Sequence, residues 1–251
     1  MFIQAPRIKD ARGAFLLPFC YLFAKISLYM LGKLYIVATP IGNLGDITLR
    51  AIETLKNVDF ILCEDTRVTK NLLERYEINK TMVSYHQHTE ERKVKEIAKL
   101  LEEGKNLALV TDAGTPGISD PGGLLIKSLV KNLKPEIIPI PGASAVVAAL
   151  SISGFPTDKF VFMGFPPHKN KRQKFFKEVA AAEYTVVFYE SGHRIKKCLQ
   201  ELKENLDVGR GLVVCRELTK KFETIYRGNI DEIIEQMTDE RGEFVVVVNQ
   251  K

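Results

Sequence analysis

The chain of 251 residues is 45% hydrophobic and 27% charged, with 17 Gly and 11 Pro, which excludes a wholly disordered chain, a collagen-like repeat and a polytopic membrane protein. Cys20, Cys63, Cys198 and Cys215 lie far apart with no C-x-x-C, so no disulfide framework or structural zinc site is expected and a reducing compartment is the default. Of the net charge of +5, residues 1–33 hold +4 through Arg7, Lys9, Arg12, Lys25 and Lys33 against Asp10, so global charge says little about partners.

In chain order, residues 14–31 form an apolar run, AFLLPFCYLFAKISLYML, behind a basic start. A signal peptide has these parts, but no small-residue cleavage site follows and Lys25 interrupts the run. At about 18 residues it is marginal as a membrane span. The favoured expectation is that residues 1–32 are an extension, unstructured or preceding a natural start at Met30. Membrane contact is not expected, and a cytoplasmic location is.

From Lys33 onward, β-rich runs alternate with helical periodicity. Residues 34–40 read as a buried strand. Residues 46–57 read as a helix with Ile47, Ala51, Ile52 and Leu55 at helical spacing and Asp46 as its cap. Strands are expected at 60–63, 107–110 and 137–140, and helices at 89–103, 124–132 and 143–153. This alternation argues a mostly parallel sheet covered on both faces. Gly154-Phe-Pro-Thr157 breaks the pattern as a hinge. A second series follows, with strands at 160–165, 185–189 and 212–216 and helices at 172–182 and 193–205, and the chain closes with residues 223–227, a helix at 230–237 and a strand at 244–248. The expectation is two α/β domains with mostly parallel sheets, residues 33–154 and 155–251, with a cofactor cleft between them.

Three glycine- and proline-rich segments each follow a predicted strand: TPIGN (39–43), DAGTPGISDPGG (112–123) and PGASA (141–145). In open α/β sheets ligands bind beyond the carboxyl ends of strands, and glycine lets backbone amides approach closely. One such loop is ordinarily a turn; three in one domain point to a nucleotide-sized ligand. Neither G-x-x-x-x-G-K-[ST] nor G-x-G-x-x-G after a strand is present, which disfavours a P-loop and a nicotinamide site. Loops rich in backbone donors, without a phosphate-clamping Lys or Arg, suit S-adenosylmethionine.

TPIGN, CEDTR (63–67), TDAGTPGISDPG (111–122), PGASA, FYESGHR (188–194), RELTK (216–220) and the terminal GEFVVVV, taken together, resemble the ribosomal RNA small subunit methyltransferase I family. The resemblance covers about residues 33–250. It implies the tetrapyrrole methylase fold, S-adenosylmethionine as cofactor, and methylation of the ribose 2′-oxygen of a cytidine in the decoding region of 16S rRNA. It also implies a homodimer acting on the small ribosomal subunit. By this resemblance, cofactor contacts fall on Pro40, Asp112, Ala113, Gly114, Ile118, Ser144 and Ala145, and in the second domain on Tyr189, Glu190, Glu217 and Leu218. The first loop, Thr39-Pro-Ile-Gly-Asn43, departs from the Gly-x-Gly-Pro-Gly of tetrapyrrole enzymes and favours the RNA-modifying branch. The alternatives are a tetrapyrrole C-methyltransferase and a non-enzymatic RNA-binding or assembly factor.

Transfer to a hydroxyl needs an in-line acceptor and removal of a poorly acidic proton. Glu64 or Asp65 is a candidate base or ribose-orienting group and Arg67 a candidate phosphate contact; the plainer role for Asp65 is to cap the following helix and pair with Arg67. His86 and His88 alternate on a strand-like segment without a third ligand, so a surface or RNA-facing pair is favoured over a metal site. In residues 167–177, PHKNKRQKFFK, the cations Lys169, Lys171, Arg172 and Lys174 read as RNA-binding. Phe175 and Phe176 read as core.

Overall fold

The structure, a computed structural model, describes residues 31–86, 91–120 and 122–251, and a two-residue antiparallel ladder between Ile8–Lys9 and Phe15–Leu16. The other expectations placed on residues 1–30, as extension, signal or anchor, lie outside the described residues, as does His88. Among the described residues no helix is long and apolar enough to cross a membrane.

The first half alternates strand and helix: β1 (Leu34–Val37), α1 (Leu49–Asn57), β2 (Phe60–Cys63), α2 (Thr66–Arg75), β3 (Thr81–Ser84), α3 (Glu91–Glu102), β4 (Leu107–Leu109), α4 (Gly123–Asn132), β5 (Ile137–Ile140) and α5 (Ala145–Ser151). The strands pair in the order β3-β2-β4-β1-β5, every pair parallel. Successive strand side chains point to opposite faces. Val37, Ile61 and Cys63 pack with Ala51 and Leu55 of α1 and Leu73 of α2. Leu34, Ile36 and Leu62 pack with Ile97 and Leu101 of α3 and Leu125 of α4. A parallel sheet needs both faces covered, and these short apolar strands supply that.

The expected helix over 46–57 divides. Asn43 caps a 3₁₀ turn, Leu44–Asp46, and α1 starts only at Leu49, where the Thr48 hydroxyl accepts from the Ala51 amide at 3.1 Å. Asp46 is therefore not the cap. Helix α2 is the helix that the plainer role of Asp65 implied, while strand β3 falls where the sequence pattern marked no element.

The second half contains β6 (Phe160–Phe162), α6 (Arg172–Ala181), β7 (Thr185–Ser191), α7 (Gly192–Lys203), β8 (Leu212–Arg216), β9 (Thr224–Gly228), α8 (Ile230–Gln236) and β10 (Glu243–Val248). Its sheet runs β9-β8-β10-β7-β6. Here the expectation of a mostly parallel sheet is corrected: only β6–β7 is parallel, while β8–β9, β8–β10 and β7–β10 are antiparallel. The physical reason is that β10 returns between β7 and β8, opposite in direction to both. One face of this sheet packs on α6, α7 and α8 through Phe176, Phe188, Leu199 and Ile233. The other meets the first half, where Val146, Ala149 and Leu150 of α5 and Ile41 pack on Val187, Val213, Val245 and Val247.

Candidate functional site

Because every strand of the first sheet runs the same way, the segments after β1, β2, β4 and β5 emerge along one edge. Two of them are tied together. Thr39 and Gly114 form an antiparallel bridge with N–H···O distances of 2.9 and 3.1 Å, and the buried Thr39 hydroxyl donates to the Thr111 carbonyl at 3.0 Å. Gly114 holds a left-handed backbone with φ of 89°, which a side chain would resist.

This edge faces the second sheet across a cavity of about 410 Å³. From the first half, Asp112, Ala113, Gly114, Ile118, Ser144 and Ala145 line it; from the second, Tyr189, Glu190 and Leu218 do. Two residues assigned to the cofactor by resemblance stand outside this lining. Pro40 is buried and its neighbour Ile41 faces the cavity instead. Glu217 accepts from Lys220 Nζ and from the Glu243 amide, each at 2.9 Å, which turns its carboxylate toward the 242–243 turn. Thr111, Ser119, Asp120, Phe165 and Lys220 also line the cavity. They were missed because turn chemistry in 111–123 hid side-chain roles, and Phe165 precedes the basic run without belonging to a motif.

The second-half wall holds charges that are already paired. Glu190, fully buried, meets Arg194 at 2.8 Å and Arg172 at 3.5 Å. Its Oε1 accepts from the Ser191 amide at 2.8 Å, while its Oε2 accepts no hydrogen bond. Tyr189 packs against Phe162 and Phe165, with ring centroids 5.0 and 5.3 Å away. Burial, then the Asp120 charge, pushes the Tyr189 phenol up to about 12.

A second, more open cavity of about 390 Å³ adjoins the first, and Asp112 lines both. It gathers Glu64, Asp65, Arg67 and His86, so the candidate catalytic residues are neighbours. Asp65 caps α2: its Oδ1 accepts from the Arg67 amide at 2.8 Å, and both carboxylate oxygens bind the Arg67 guanidinium, at 3.1 and 2.6 Å. Those bonds hold its carboxyl down to about 2. The Asp65 amide donates in turn to Asp112 Oδ1 at 3.1 Å. Glu64 differs, because burial and then Asp112 push its carboxyl up, against a bond from Thr111 Oγ1 at 3.5 Å. His86 Nε2 lies 2.6 Å from Ser84 Oγ.

The basic run splits by burial. Lys169, Lys171 and Lys174 are exposed, and Lys174 pairs with Glu178 at 3.5 Å. Arg172 is corrected as an RNA contact. It is 5% exposed, with Nε 2.7 Å from Glu201 Oε2 and Nη1 donating to the Pro167 carbonyl at 3.1 Å. Phe175 and Phe176 lie in the core beside it. Arg194 links this loop to the cavity, since its Nη1 lies 3.0 Å from the His168 ring nitrogens while its Nη2 holds Glu190.

Residues 33–234 match the family model of the Tetrapyrrole (Corrin/Porphyrin) Methylases. The chain is 47% identical over 222 residues to the ribosomal RNA small subunit methyltransferase I of Synechocystis sp., covering 87% of this chain and 79% of that protein. It is 46% identical over 223 residues to the protein of the same name from Bacillus subtilis, covering 87% and 75%. Among solved structures, the methyltransferase CobJ superposes with a TM-score of 0.66 at 20% identity, covering 87% of this chain and 94% of that one.

Proposed function

The chain belongs to the tetrapyrrole methylase family and is a methyltransferase, and from that premise we propose that it uses S-adenosylmethionine to methylate the ribose 2′-oxygen of a cytidine in the decoding region of 16S rRNA. The observation that carries this reading is the pair of cavities meeting at Asp112, one enclosed between the two sheets and one open beside an exposed arginine. The first suits the cofactor and the second the RNA. The relatives' name supports a small-subunit rRNA substrate over the tetrapyrrole alternative, because the structural likeness to CobJ at 20% identity speaks for fold alone.

The first cavity's volume lies within the range of about 300–1,000 Å³ for small-molecule sites. Its left-handed glycine loop and apolar Ile41 and Leu218, without an unpaired cation in the lining, fit a ligand with amine and hydroxyl donors and no phosphate. Asp112, Ala113, Gly114, Ile118, Ser144, Ala145, Tyr189, Glu190 and Leu218 would hold it, with Pro40 and Glu217 acting through the backbone segments they fix. Bound there, the cofactor supplies an electrophilic methyl group on a sulfonium. Arg67, pinned by Asp65 yet exposed, would hold an RNA phosphate, and Glu64 would orient the ribose. Lys169, Lys171 and Lys174 would engage phosphates farther along the strand.

The proposal divides the chain into units 33–154 and 155–251. It places the protein in the cytoplasm, as a homodimer joined through exposed apolar surface such as Phe160 and Val161 on the edge strand β6. Transfer of a tritiated methyl group tests the central reading, with assembled small subunits, free 16S rRNA and uroporphyrinogen offered separately. Label in one cytidine that resists alkaline cleavage at its 3′ side is expected. Label in the macrocycle, or on a base, would overturn it.

A further inference from the structure

Among the described residues lining the enclosed cavity, Lys220 is the one cation, against the carboxylates of Asp112, Asp120, Glu190 and Glu243. The residues assigned to the cofactor by motif include no cation. Lys220 Nζ donates to Glu217 Oε1 at 2.9 Å and to Glu243 Oε2 at 2.8 Å. An ammonium has three N–H bonds, so one remains, and no described residue accepts it. Glu217 Oε1 is also bound by the Glu243 amide at 2.9 Å, whereas Oε1 of Glu243 takes no bond from a described residue.

The segment that carries Lys220 is fixed from both halves of the chain. Glu217 and Thr219 sit in the left-handed region, with φ of 51° and 66°, a conformation that costs residues with a side chain. The Lys220 amide donates to the Glu217 carbonyl at 3.0 Å and the Thr219 amide to Glu223 Oε2 at 2.6 Å. From there the Lys220 stem reaches the first half, so close to Gly42 of the TPIGN loop that a Cβ at that glycine would overlap Lys220 Cγ. The Lys220 side chain is 29% exposed and that of Glu243 76%, so the pair stands at the mouth of the cavity.

We propose that Lys220 and Glu243 receive the amino-acid end of the cofactor, Lys220 its carboxylate and Glu243 its ammonium, and so select a nucleoside that bears a zwitterion. This rests on the cofactor reading above. A phosphate carries charge of one sign and gains little from a cation already neutralised. A zwitterion sets an opposite charge against each member of a Lys–Glu pair. Elsewhere in the lining a carboxylate meets only acidic or neutral side chains, since the arginines that hold Glu190 lie outside it.

The test is calorimetry on the whole chain with three uncatalysed ligands: S-adenosylhomocysteine, its decarboxylated form, and methylthioadenosine, which lacks the whole amino-acid end. Lys220→Met should weaken S-adenosylhomocysteine about 10- to 100-fold and leave the other two within about threefold. Glu243→Gln should weaken the two amine-bearing ligands about three- to tenfold and leave methylthioadenosine unchanged. Lys220→Arg keeps the charge and should restore most of the affinity. Equal losses for all three ligands in Lys220→Met would show that Lys220 only supports the cavity wall, and no loss would put the carboxylate elsewhere; either overturns the proposal.

A second measurement does not depend on the stability of the Met variant. In ¹⁵N spectra of the lysine ammonium groups, with the Lys220 signal assigned by its loss in Lys220→Arg, S-adenosylhomocysteine should move that signal and methylthioadenosine should not. A signal that responds alike to both overturns the proposal and leaves the cofactor reading standing. A wild-type chain that binds none of the three nucleosides overturns the cofactor reading, and the proposal with it.

Discussion

Lys171 and Arg172 are adjacent and both basic, yet one is solvated and the other is 5% exposed against Glu190 and Glu201. Removing one partner from a buried ion network leaves charges stranded, at a cost of about 3–5 kcal/mol. Arg172→Met should therefore lower unfolding stability by that much in urea titration. Lys171→Glu should leave stability within about 0.5 kcal/mol and reduce both RNA affinity and its salt dependence. If the two substitutions proved equally destabilising, this division of the basic run would fail. Asp120 gives a second residue-scale prediction. Its folded carboxyl titrates near 6, above the unfolded value of about 3.9. The fold therefore binds its proton more tightly: the cost is absent below about pH 4, grows up to about pH 6 and is complete above it. Asp120→Asn should accordingly stabilise the ligand-free protein at pH 7.5, on the order of 1 kcal/mol after solvent screening, and leave it unchanged at pH 4. Denaturation at the two pH values checks the sign. The sequence offered two roles for Asp65, and both bonds of the plainer one are present, because cap and ion pair both need only Arg67, two positions away. The raised Asp120 carboxyl stayed hidden because it comes from burial and from the charges of Glu64 and Asp112, which other strands bring beside it.

At the scale of elements, the βα alternation carried correct information about direction. Strands β6, β7 and β8 run the same way, as crossover connections dictate, and so do all five strands of the first sheet. What the pattern did not contain was the return of β10 between β7 and β8, since partner choice among equally apolar strands depends on tertiary packing. Gly192, the first residue of α7, marks the other side of that return. A Cβ there would lie 2.2 Å from the Glu240 carbonyl oxygen and 3.0 Å from Gly242 N and O, and the Gly192 amide donates to the Gly242 carbonyl at 2.8 Å. Helix propensity alone favours alanine over glycine by about 1 kcal/mol, but here the clash with backbone decides. Gly192→Ala should destabilise by about 1–3 kcal/mol, read as a lower thermal midpoint; a rise would show that the 240–242 turn yields easily.

At the scale of the whole molecule, the enclosed cavity exists only because α5, carried by the first half, packs on β7 and β10 of the second. A ligand bridging the two should resist unfolding of both. S-adenosylmethionine at about 100 times its Kd should stabilise the wild-type chain by about 2.7 kcal/mol. Asp112→Arg, which places bulk and opposite charge where the cavities meet, should abolish that gain; an equal gain in the variant would put the cofactor elsewhere. By itself the sequence determined the parallel first sheet, the three loops at its carboxyl edge, the core phenylalanines Phe175 and Phe176, and the methyltransferase family. These follow from periodicity, turn chemistry and ordered motifs, all properties of neighbours along the chain. Only the tertiary structure decided which carboxylates are neutralised, that Arg172 is internal, that Glu217 turns from the cavity, and that the second sheet is largely antiparallel. Each of those depends on which distant segment lies alongside, and burial and charge pairing are set by that juxtaposition.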